Sequence, residues 1–364
     1  MTRGARRRIV LLGPSLSAVS GVSTHVNMLL GSTLSQEFEL FHFQVGSEGR
    51  QEGVIRQVWR LVISPLALIA YLLRNRTDIV HINTSLDQKA YWRDVVYLVI
   101  ARTIGQKTVC QIHGGALPQN FFPRSRILSQ GLRLALRTAT AVSVLSKEEL
   151  RAYRAFDNRL NVFLTPNAII ADDVLAALRK NSQSAALRLV YVGRIVASKG
   201  IFEVIEALRL LKLRGHDLTL RIAGSGPDER DLIEAVRRAR LVGAIRFLGP
   251  VFGSEKTRLW LDSDVFVFPT WHKEGLPYAI LESMAAGCVP VTCAVAAIPD
   301  VIQNGVEGLF VQPKDPESLA NALAELDRDR HVMERMAVAA RARIRAQYTS
   351  ARLTQQFRRL YMSL

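Results

Sequence analysis

Short, continuously apolar runs alternate with amphipathic stretches along almost the whole chain. The apolar runs have the length of buried strands, and the stretches between them have the periodicity of helices. In the first half this pattern predicts strands at 8–13, 39–45, 78–83, 107–113, 141–145 and 161–164, with helices at 24–35, 54–73, 91–104, 124–137 and 147–155. In the second half it predicts strands at 188–193, 219–223, 245–248, 265–268, 289–293 and 308–311, then two or three closing helices within 316–364.

Apolar strands that alternate with helices are typical of parallel sheets covered on both faces. Two successive sets in 364 residues predict an α/β protein with two doubly wound, Rossmann-like domains. We expect the first domain to cover residues 1–166 and the second to cover 167–345. Ligands of such sheets bind at the carboxyl ends of the strands, so we expect the site in a cleft between two facing sheets.

The net charge is +16, and most of the excess lies in the first 165 residues, which hold 21 basic and 10 acidic side chains, or +11. The remaining residues hold 27 and 22, or +5. This asymmetry suits anionic phospholipid, a phosphorylated acceptor or nucleic acid. The alternative is an arginine-rich solvated surface. Nucleic-acid binding has little support, because aromatic residues are sparse around the basic clusters and no binding motif is present.

Three features bear on location. The three cysteines, an odd number without metal-like spacing, indicate core residues of a protein in a reducing compartment. No apolar stretch is long enough to span a membrane. The segment from Leu61 to Leu73 is interrupted by Pro65 and flanked by arginines at 56, 60, 74 and 76, so it could lie on a membrane surface. We therefore expect a cytoplasmic protein with peripheral contact to the anionic inner face of the membrane.

Two carboxylates, Glu274 and Glu282, frame a loop that leads into a predicted helix from about Pro277 to Ala286. Proline suits the first turn of a helix, and Gly287 suits the position just past its end. The free N–H groups of the first turn favour an anionic ligand. Because one glutamate precedes the helix and the other lies within it, they would reach different parts of an extended ligand. The alternative is that both only complement the helix dipole.

The first domain offers two further candidates. Gly21 lies in a loop between the first strand and a helix that we expect Ser23 or Thr24 to cap, and such a loop can bring backbone N–H groups near a phosphate. His113 ends a strand before two glycines, where it could hydrogen-bond a sugar hydroxyl or transfer a proton. A buried structural histidine is the alternative.

In the second domain Arg194 follows a strand and Lys199 precedes a helix, so both cations could converge on a diphosphate. An ion pair between Lys199 and Glu203 is the alternative. Gly224 and Gly226 form another strand–glycine–helix turn, which could also serve tight packing alone. The sequence contains no metal-ligand constellation and no Gly-x-Ser-x-Gly elbow, so we expect the cations and helix ends to do the work of a metal.

Taken in order, these motifs resemble the large family of retaining GT-B glycosyltransferases that use nucleotide sugars, of the group 1, family 4-like type. The likeness is carried by Gly193-Arg194 with Lys199-Gly200, by residues 223–227 and 247–249, and by residues 274–277 with Glu282 and residues 285–291. It is strong over residues 188–311 and looser before them. It implies that the C-terminal helix, at 346–364, packs back toward the first domain.

The resemblance also implies a role for each residue. Arg194 and Lys199 would bind the diphosphate of the donor, with the turn of Gly224 and Gly226 beside them, and Glu282 would bind its ribose hydroxyls. Glu274 and the N–H groups of Gly275, Leu276 and Pro277 would hold the transferred sugar. His113 would contact that sugar from the other domain, and Gly21 would approach the phosphates.

Such a transfer keeps the anomeric configuration, uses neither metal nor cofactor, and needs a nucleoside diphosphate sugar as donor. The acceptor would be lipid-linked or a growing polysaccharide. Two positions depart from the family pattern: Ser20 precedes Gly21 where paired glycines are usual, and Ala168 replaces a glycine after Pro166-Asn167. The alternatives are an inactive sugar-nucleotide-binding protein and an epimerase or phosphorylase of the same fold.

Overall fold

The computed structural model describes residues 6–48, 53–170, 186–273 and 275–364. Contacts divide the chain into two units. The first unit contains residues 1–168 together with 350–364, and the second contains residues 169–349. Each unit is built around one parallel sheet of six strands.

The sheet of the first unit has the order β2-β1-β3-β4-β5-β6. Its strands are β1 (Arg7–Gly13), β2 (Phe38–Gln44), β3 (Ile79–Leu86), β4 (Lys107–Gly115), β5 (Ala141–Val144) and β6 (Val162–Leu164). The helices are α1 (Gly21–Leu30), α2 (Leu34–Glu37), α3 (Val54–Arg74), α4 (Gln88–Thr103), α5 (Pro118–Phe121), α6 (Arg126–Thr138) and α7 (Lys147–Phe156). The connections diverge between β1 and β3, which is where a doubly wound sheet opens for ligands.

The sheet of the second unit has the order β12-β11-β10-β7-β8-β9. Its strands are β7 (Leu187–Val192), β8 (Leu218–Ala223), β9 (Ile245–Gly249), β10 (Val265–Phe268), β11 (Val289–Cys293) and β12 (Leu309–Val311). The helices that follow are α8 (Ile201–Leu213), α9 (Glu229–Arg238), α10 (Gly253–Leu261), α11 (Tyr278–Ala286), α12 (Ile298–Val301), α13 (Pro316–Arg328) and α14 (Arg330–Gln347). The connections diverge between β7 and β10.

The chain ends with α15 (Ser350–Ser363), which belongs to the first unit. Its buried face includes Phe357 and Tyr361, and both rings pack against His81 of β3. Aromatic contacts of this kind anchor a helix that would otherwise be a loose terminus.

The two strands at the switch point of the second unit are joined at their starts by Asp264. Its carboxylate accepts two hydrogen bonds from the Arg188 guanidinium, at 2.8 and 3.0 Å, and a third from the backbone N–H of Arg188 at 2.9 Å. Asp264 is buried, so the bidentate pair satisfies a charge that would be costly alone. It fixes β7 beside β10.

The alternation of strands and helices is confirmed, and all three cysteines are buried, as predicted. One detail of the first helix was wrong. Helix α1 begins at Gly21 and is capped by Ser20, whose hydroxyl accepts from the N–H of Ser23, and not by Ser23 or Thr24. The predicted helix at 24–35 is therefore two helices, α1 and α2. No helix among the described residues is both long and apolar enough to cross a membrane.

Candidate active site

Arg194 follows β7 in a segment whose backbone is held by the turn after β8. The N–H of Gly193 donates to Ala223, and the N–H of Ile195 donates to Ser225, both at 3.0 Å. A Cβ on Gly224 would collide with the carbonyl oxygen of Gly193, and Gly224 has φ +145°. The glycine turn therefore lets two loop backbones touch, which fixes the place of Arg194 at the switch point of the sheet.

Gly226 serves the same contact from the other side, because a Cβ there would collide with the carbonyl oxygen of Ile195. Both glycines thus have the packing role that the sequence left as an alternative. The hydroxyl of Tyr191 adds a hydrogen bond to the carbonyl of Arg194 at 3.0 Å.

Lys199 ends the short 3₁₀ turn Ala197–Lys199 that precedes α8. Its ammonium lies 5.7 Å from the centre of the Phe268 ring, at the end of β10. Burial and the nearby positive charge of Arg194 lower the pKa of Lys199 to about 8. The two cations therefore lie close together at the carboxyl ends of β7 and β10, where an anion would relieve their repulsion.

The loop after β10 brings a third basic side chain to this cluster. The backbone N–H groups of Trp271 and His272 both donate to the carbonyl of Ser198 at 3.2 Å. Burial, and after it the charge of Lys199, lower the pKa of His272. We did not predict His272 from the sequence, although its position two residues before Glu274 places it beside the motif.

Glu282 is the fifth residue of α11, so it lies about 6 Å along the axis from the helix start. The Lys256 ammonium of α10 lies 2.8 Å from its Oε1 and 2.7 Å from its Oε2, and the Trp260 indole N–H donates to Oε2 at 3.3 Å. The Glu282 side chain retains 24% exposure. It is therefore held in one orientation while part of it stays open to a ligand.

Gly275, Leu276 and Pro277 lead directly into α11, with Pro277 in the cap position. One implied role is wrong for a chemical reason: proline has no backbone N–H, so only Gly275 and Leu276 of these three have such a group. Leu276 is buried, which anchors the loop. Glu274 lies outside the described residues.

In the first unit, Gly21 is the first residue of α1. The Ser23 hydroxyl lies 2.9 Å from the carbonyl of Ser15 and 3.0 Å from that of Leu16, and it donates to this pair. Asn27 donates to the Leu16 carbonyl as well, at 2.7 Å. The loop between β1 and α1 is therefore tied to the helix that follows it.

His113 lies on β4, and its Nε2 is 2.9 Å from Oδ1 of Asn83 on β3. The His25 ring of α1 packs edge-on against His113, with 4.9 Å between the ring centres. Since His25 is one turn after Gly21, the structure brings Gly21 and His113 to the same end of this sheet. The pKa of His113 is lowered well below its usual value by burial, then by His25 and His81.

A buried polar cluster that the sequence did not reveal lies beneath His113. His81 Nδ1 is 2.6 Å from the hydroxyl of Tyr361, and His81 Nε2 is 2.9 Å from Oε1 of Gln111. Neither ring nitrogen of His25 makes a hydrogen bond with the described residues. Burial lowers the pKa of His25 to about 4 and that of His81 to about 3. These rings are therefore neutral at neutral pH.

Within the described part of the chain, no group of three or more His, Cys, Asp or Glu side chains could hold a metal ion. The basic side chains at the two candidate sites form two sets. The first is Arg194, Lys199 and His272 in the second unit, and the second is the group of histidines around His113 in the first unit. The first set suits an anion, and the second suits a neutral polar ligand.

Two parallel six-stranded sheets, with Arg194 and Lys199 at the switch point of the second, match a class of protein that has the GT-B glycosyltransferase fold. A sucrose-phosphate synthase from Thermosynechococcus elongatus superposes with a TM-score of 0.81 at 19% identity, covering 98% of this chain and 99% of the other. The Anabaena protein HepE, solved in complex with UDP-glucose, superposes with a TM-score of 0.74 at 17% identity, covering 98% of this chain and 100% of the other.

Residues 178–343 match the family described as glycosyl transferases group 1, and residues 32–168 match the glycosyl transferase 4-like domain. The chain belongs to this family of group 1, family 4-like glycosyltransferases. Among curated proteins, it is 30% identical over 184 residues to a putative colanic acid biosynthesis glycosyltransferase, WcaL, of Salmonella typhimurium. That match covers 49% of this chain and 45% of WcaL, and the chain spans less than half the length of the first curated relatives it matches.

Proposed function

We propose that the protein is a glycosyltransferase that moves a sugar from a nucleoside diphosphate donor to a lipid-linked or growing polysaccharide acceptor. The observation that carries the proposal is the convergence of Arg194 and Lys199 at the carboxyl ends of β7 and β10. Lys199 is partly buried beside the exposed Arg194, and a diphosphate that contacts both would offset the repulsion between them.

The donor would lie along the switch point of the second unit. Arg194 and Lys199 bind its diphosphate, and Glu282, held by Lys256, accepts hydrogen bonds from the ribose hydroxyls. We assign Glu274 and the N–H groups of Gly275 and Leu276 to the transferred sugar. HepE, whose structure contains UDP-glucose, supports a uridine diphosphate sugar as the first donor to test.

Bond cleavage places negative charge on the leaving diphosphate, and the two cations stabilise that charge without a metal. In the proposed mechanism the acceptor hydroxyl attacks from the face that the diphosphate leaves, and the leaving phosphate oxygen takes its proton. The anomeric configuration is then retained. No flanking pair of carboxylates is needed, in contrast to a glycoside hydrolase. No resident cofactor takes part.

The acceptor class rests on similarity and on charge. WcaL is described as a putative colanic acid biosynthesis glycosyltransferase. The excess of basic residues lies in the first 165 residues, which suits an acceptor carried on a phosphorylated lipid. We therefore assign acceptor binding to the first unit, with His113 and the Gly21 loop as the candidate contacts.

The test is turnover with a panel of nucleoside diphosphate sugars. Lys199→Ala and Glu274→Ala are expected to abolish transfer while the protein stays folded. Lys212→Ala, on the exposed side of α8, is the matched control and keeps full activity. A wild-type rate in Lys199→Ala overturns the proposal. Product analysis separates transfer from epimerisation, phosphorolysis and binding without reaction, and it reports the anomeric configuration.

We also propose that the first unit docks on the anionic cytoplasmic face of a membrane. Helix α3 exposes a stripe of apolar side chains, Trp59, Val62, Ile63, Leu66 and Leu73, each more than half exposed. Helix α4 packs against α3 and exposes a second stripe, Trp92, Val96 and Val99. The hydroxyl of Tyr97 on α4 joins the two helices through Ser64 at 2.8 Å.

Arginines at positions 74 and 76 lie exposed at the end of α3, where they would meet lipid phosphates. Co-sedimentation with anionic liposomes at low salt tests this docking. The double change Trp59→Glu with Leu66→Glu should abolish it. Leu213→Glu with Val338→Glu, equally exposed apolar positions in the second unit, should leave it unchanged. Equal loss in both variants, or no binding by the wild type, removes the assignment.

A further inference from the structure

Asn83 joins three adjacent strands at the switch point of the first unit. It lies on β3 and is 2% exposed. Its Nδ2 donates to the carbonyl of Leu12 on β1 at 3.0 Å, and its Oδ1 lies 2.9 Å from Nε2 of His113 on β4. The Asn83 side chain therefore connects β1, at the switch point of the sheet, to His113 of the candidate site.

The orientation of this amide follows from chemistry. A backbone carbonyl only accepts hydrogen bonds, so the Leu12 carbonyl requires the NH₂ group of Asn83 on its side. The amide oxygen then faces His113, and since it also only accepts, Nε2 of His113 must carry a hydrogen. In a neutral imidazole the lone pair for accepting a hydrogen bond is then on Nδ1.

Two further observations concern the state of this ring. Burial and the neighbouring His25 and His81 hold the pKa of His113 well below its usual value, so the ring is neutral at neutral pH. Nδ1 of His113 makes no hydrogen bond with the described residues, and the residue is only partly buried. This nitrogen can therefore accept a hydrogen bond from a ligand.

We propose that Asn83 is the positioning residue that holds His113 in the Nε2–H form, so that His113 presents Nδ1 as a hydrogen-bond acceptor for a hydroxyl group. The role of this acceptor in binding a carbohydrate hydroxyl rests on the proposed function. An acceptor nitrogen attracts a hydroxyl and disfavours a phosphate or carboxylate oxygen. His113 thus recognises a neutral hydroxyl of a carbohydrate.

The direct test needs no substrate. In the full-length protein labelled with ¹⁵N-histidine, long-range ¹H–¹⁵N spectra show which nitrogen of each imidazole carries hydrogen, and His113→Phe assigns the signal. We expect a protonated Nε2 with slow hydrogen exchange and an unprotonated Nδ1 for His113 at neutral pH. Hydrogen on Nδ1, alone or together with Nε2, overturns the proposal. Since this readout uses the wild type, it does not depend on the folding of a variant.

Variants then separate positioning from simple support of the sheet. In Asn83→Ala, exchange of the Nε2 hydrogen becomes fast, and kcat/KM for sugar transfer falls about threefold to tenfold, as expected for one lost hydrogen bond. Asn75→Ala is the control, because Asn75 also donates to a backbone carbonyl, that of Tyr71 at 2.9 Å. Equal kinetic loss in both variants would assign Asn83 a merely structural role.

Asn83→Asp places a carboxylate against His113 and should raise the pKa of that imidazole, which adds an acidic limb to the pH profile of transfer. An unchanged profile contradicts positioning by Asn83. If the protein transfers no sugar at all, the proposed function fails, while the spectra still decide the hydrogen position on His113. The two failures are therefore distinguishable.

Discussion

The Lys256 ammonium lies within 2.8 Å of both carboxylate oxygens of Glu282. A residue of α10 therefore sets the orientation of Glu282 on α11, the candidate for binding the ribose. The pair is about one quarter exposed on each side. Water screens much of the attraction between the two charges, so the pair contributes little to stability. Its main effect is to orient the Glu282 carboxylate.

We expect Lys256→Met to raise KM for the donor about tenfold, with little change in kcat, since the carboxylate loses its fixed geometry before transfer begins. Steady-state kinetics against donor concentration measure this. The control is Arg237→Met, which removes an exposed pair with Glu234 on α9. A donor KM that is unchanged in Lys256→Met would show that Glu282 does not bind the ribose.

Binding of a nucleoside diphosphate should weaken as the pH rises through about 8. Burial and Arg194 lower the pKa of Lys199 to about 8. The Lys199 side chain is therefore protonated and positively charged below that pH and loses its charge above it. A bound diphosphate raises this pKa, which shifts the loss to higher pH in the complex. Calorimetric titration of the nucleoside diphosphate between pH 6.5 and about 9.5 measures the effect.

Lys199→Arg supplies the matched variant, because a guanidinium stays charged over this range. Its affinity is expected to be independent of pH between 7 and about 9. The same decline in Lys199→Arg as in the wild type would assign the pH dependence to another group.

The strands could be predicted closely because burial marks them continuously. Val265–Phe268 and Val289–Cys293 are buried at every position, and their predicted bounds match those of β10 and β11. The start of α1 could not be placed in this way, because Ser20, Ser23 and Thr24 are all competent caps. The choice of Ser20 depends on how Ser23 bonds to the preceding loop.

The candidate site shows the same limit. Arg194 and Lys199 could be predicted as a pair because they are five residues apart and flank one strand–helix junction. Asn83 meets His113 from 30 residues away, and Tyr361 meets His81 from 280 residues away. Such contacts depend on the order of the strands in the sheet and on the packing of α15 in the first unit. Local hydrophobic periodicity predicts neither of these.

Gly200 and Gly215 lie at the two ends of α8. Alanine substitutions at these two positions distinguish the cost of a positive φ from the cost of a steric clash. Both have positive φ, +76° and +84°. A Cβ on Gly200 would strike the carbonyl of Pro269, whereas a Cβ on Gly215 meets nothing within 4 Å. We expect Gly215→Ala to cost about 1 kcal/mol of unfolding free energy and to keep activity.

Gly200→Ala should cost more and should also reduce donor binding at least tenfold, because relief of the collision displaces Lys199 or the loop after β10. Urea unfolding and donor titration measure the two effects. Equal costs in the two variants, with donor binding intact, would show that the Pro269 loop moves aside freely.

Asp264→Asn should destabilise the second unit by about 3 kcal/mol, because it removes a buried carboxylate that pairs with Arg188 and leaves the guanidinium without its charge partner. Urea unfolding measures this. Glu206→Gln, which breaks the exposed pair with Arg209 on α8, is the comparison and should cost less than about 1 kcal/mol. Similar costs would mean that water reaches the Arg188 pair far more than its burial indicates.

Acid should destabilise the first unit through its buried histidines. The folded-state pKa of His25 is about 4 and that of His81 about 3, both lowered by burial, while an unfolded histidine titrates near 6.5. Below pH 6.5 these histidines therefore bind protons in the unfolded chain but remain neutral in the folded protein. The free energy of unfolding is fully retained above that pH and falls as the pH drops toward 4, by on the order of 3 kcal/mol from His25 alone.

His25→Phe tests this, since neither ring nitrogen of His25 is hydrogen-bonded to a residue that the structure describes. The phenyl ring keeps the edge contacts with His113 and Phe357. At pH 8 the variant should melt within a few degrees of the wild type, whereas at pH 5 it should melt at a higher temperature. Parallel melting curves across this range would show that the buried imidazoles do not govern acid sensitivity, and the loss would then belong to paired carboxylates.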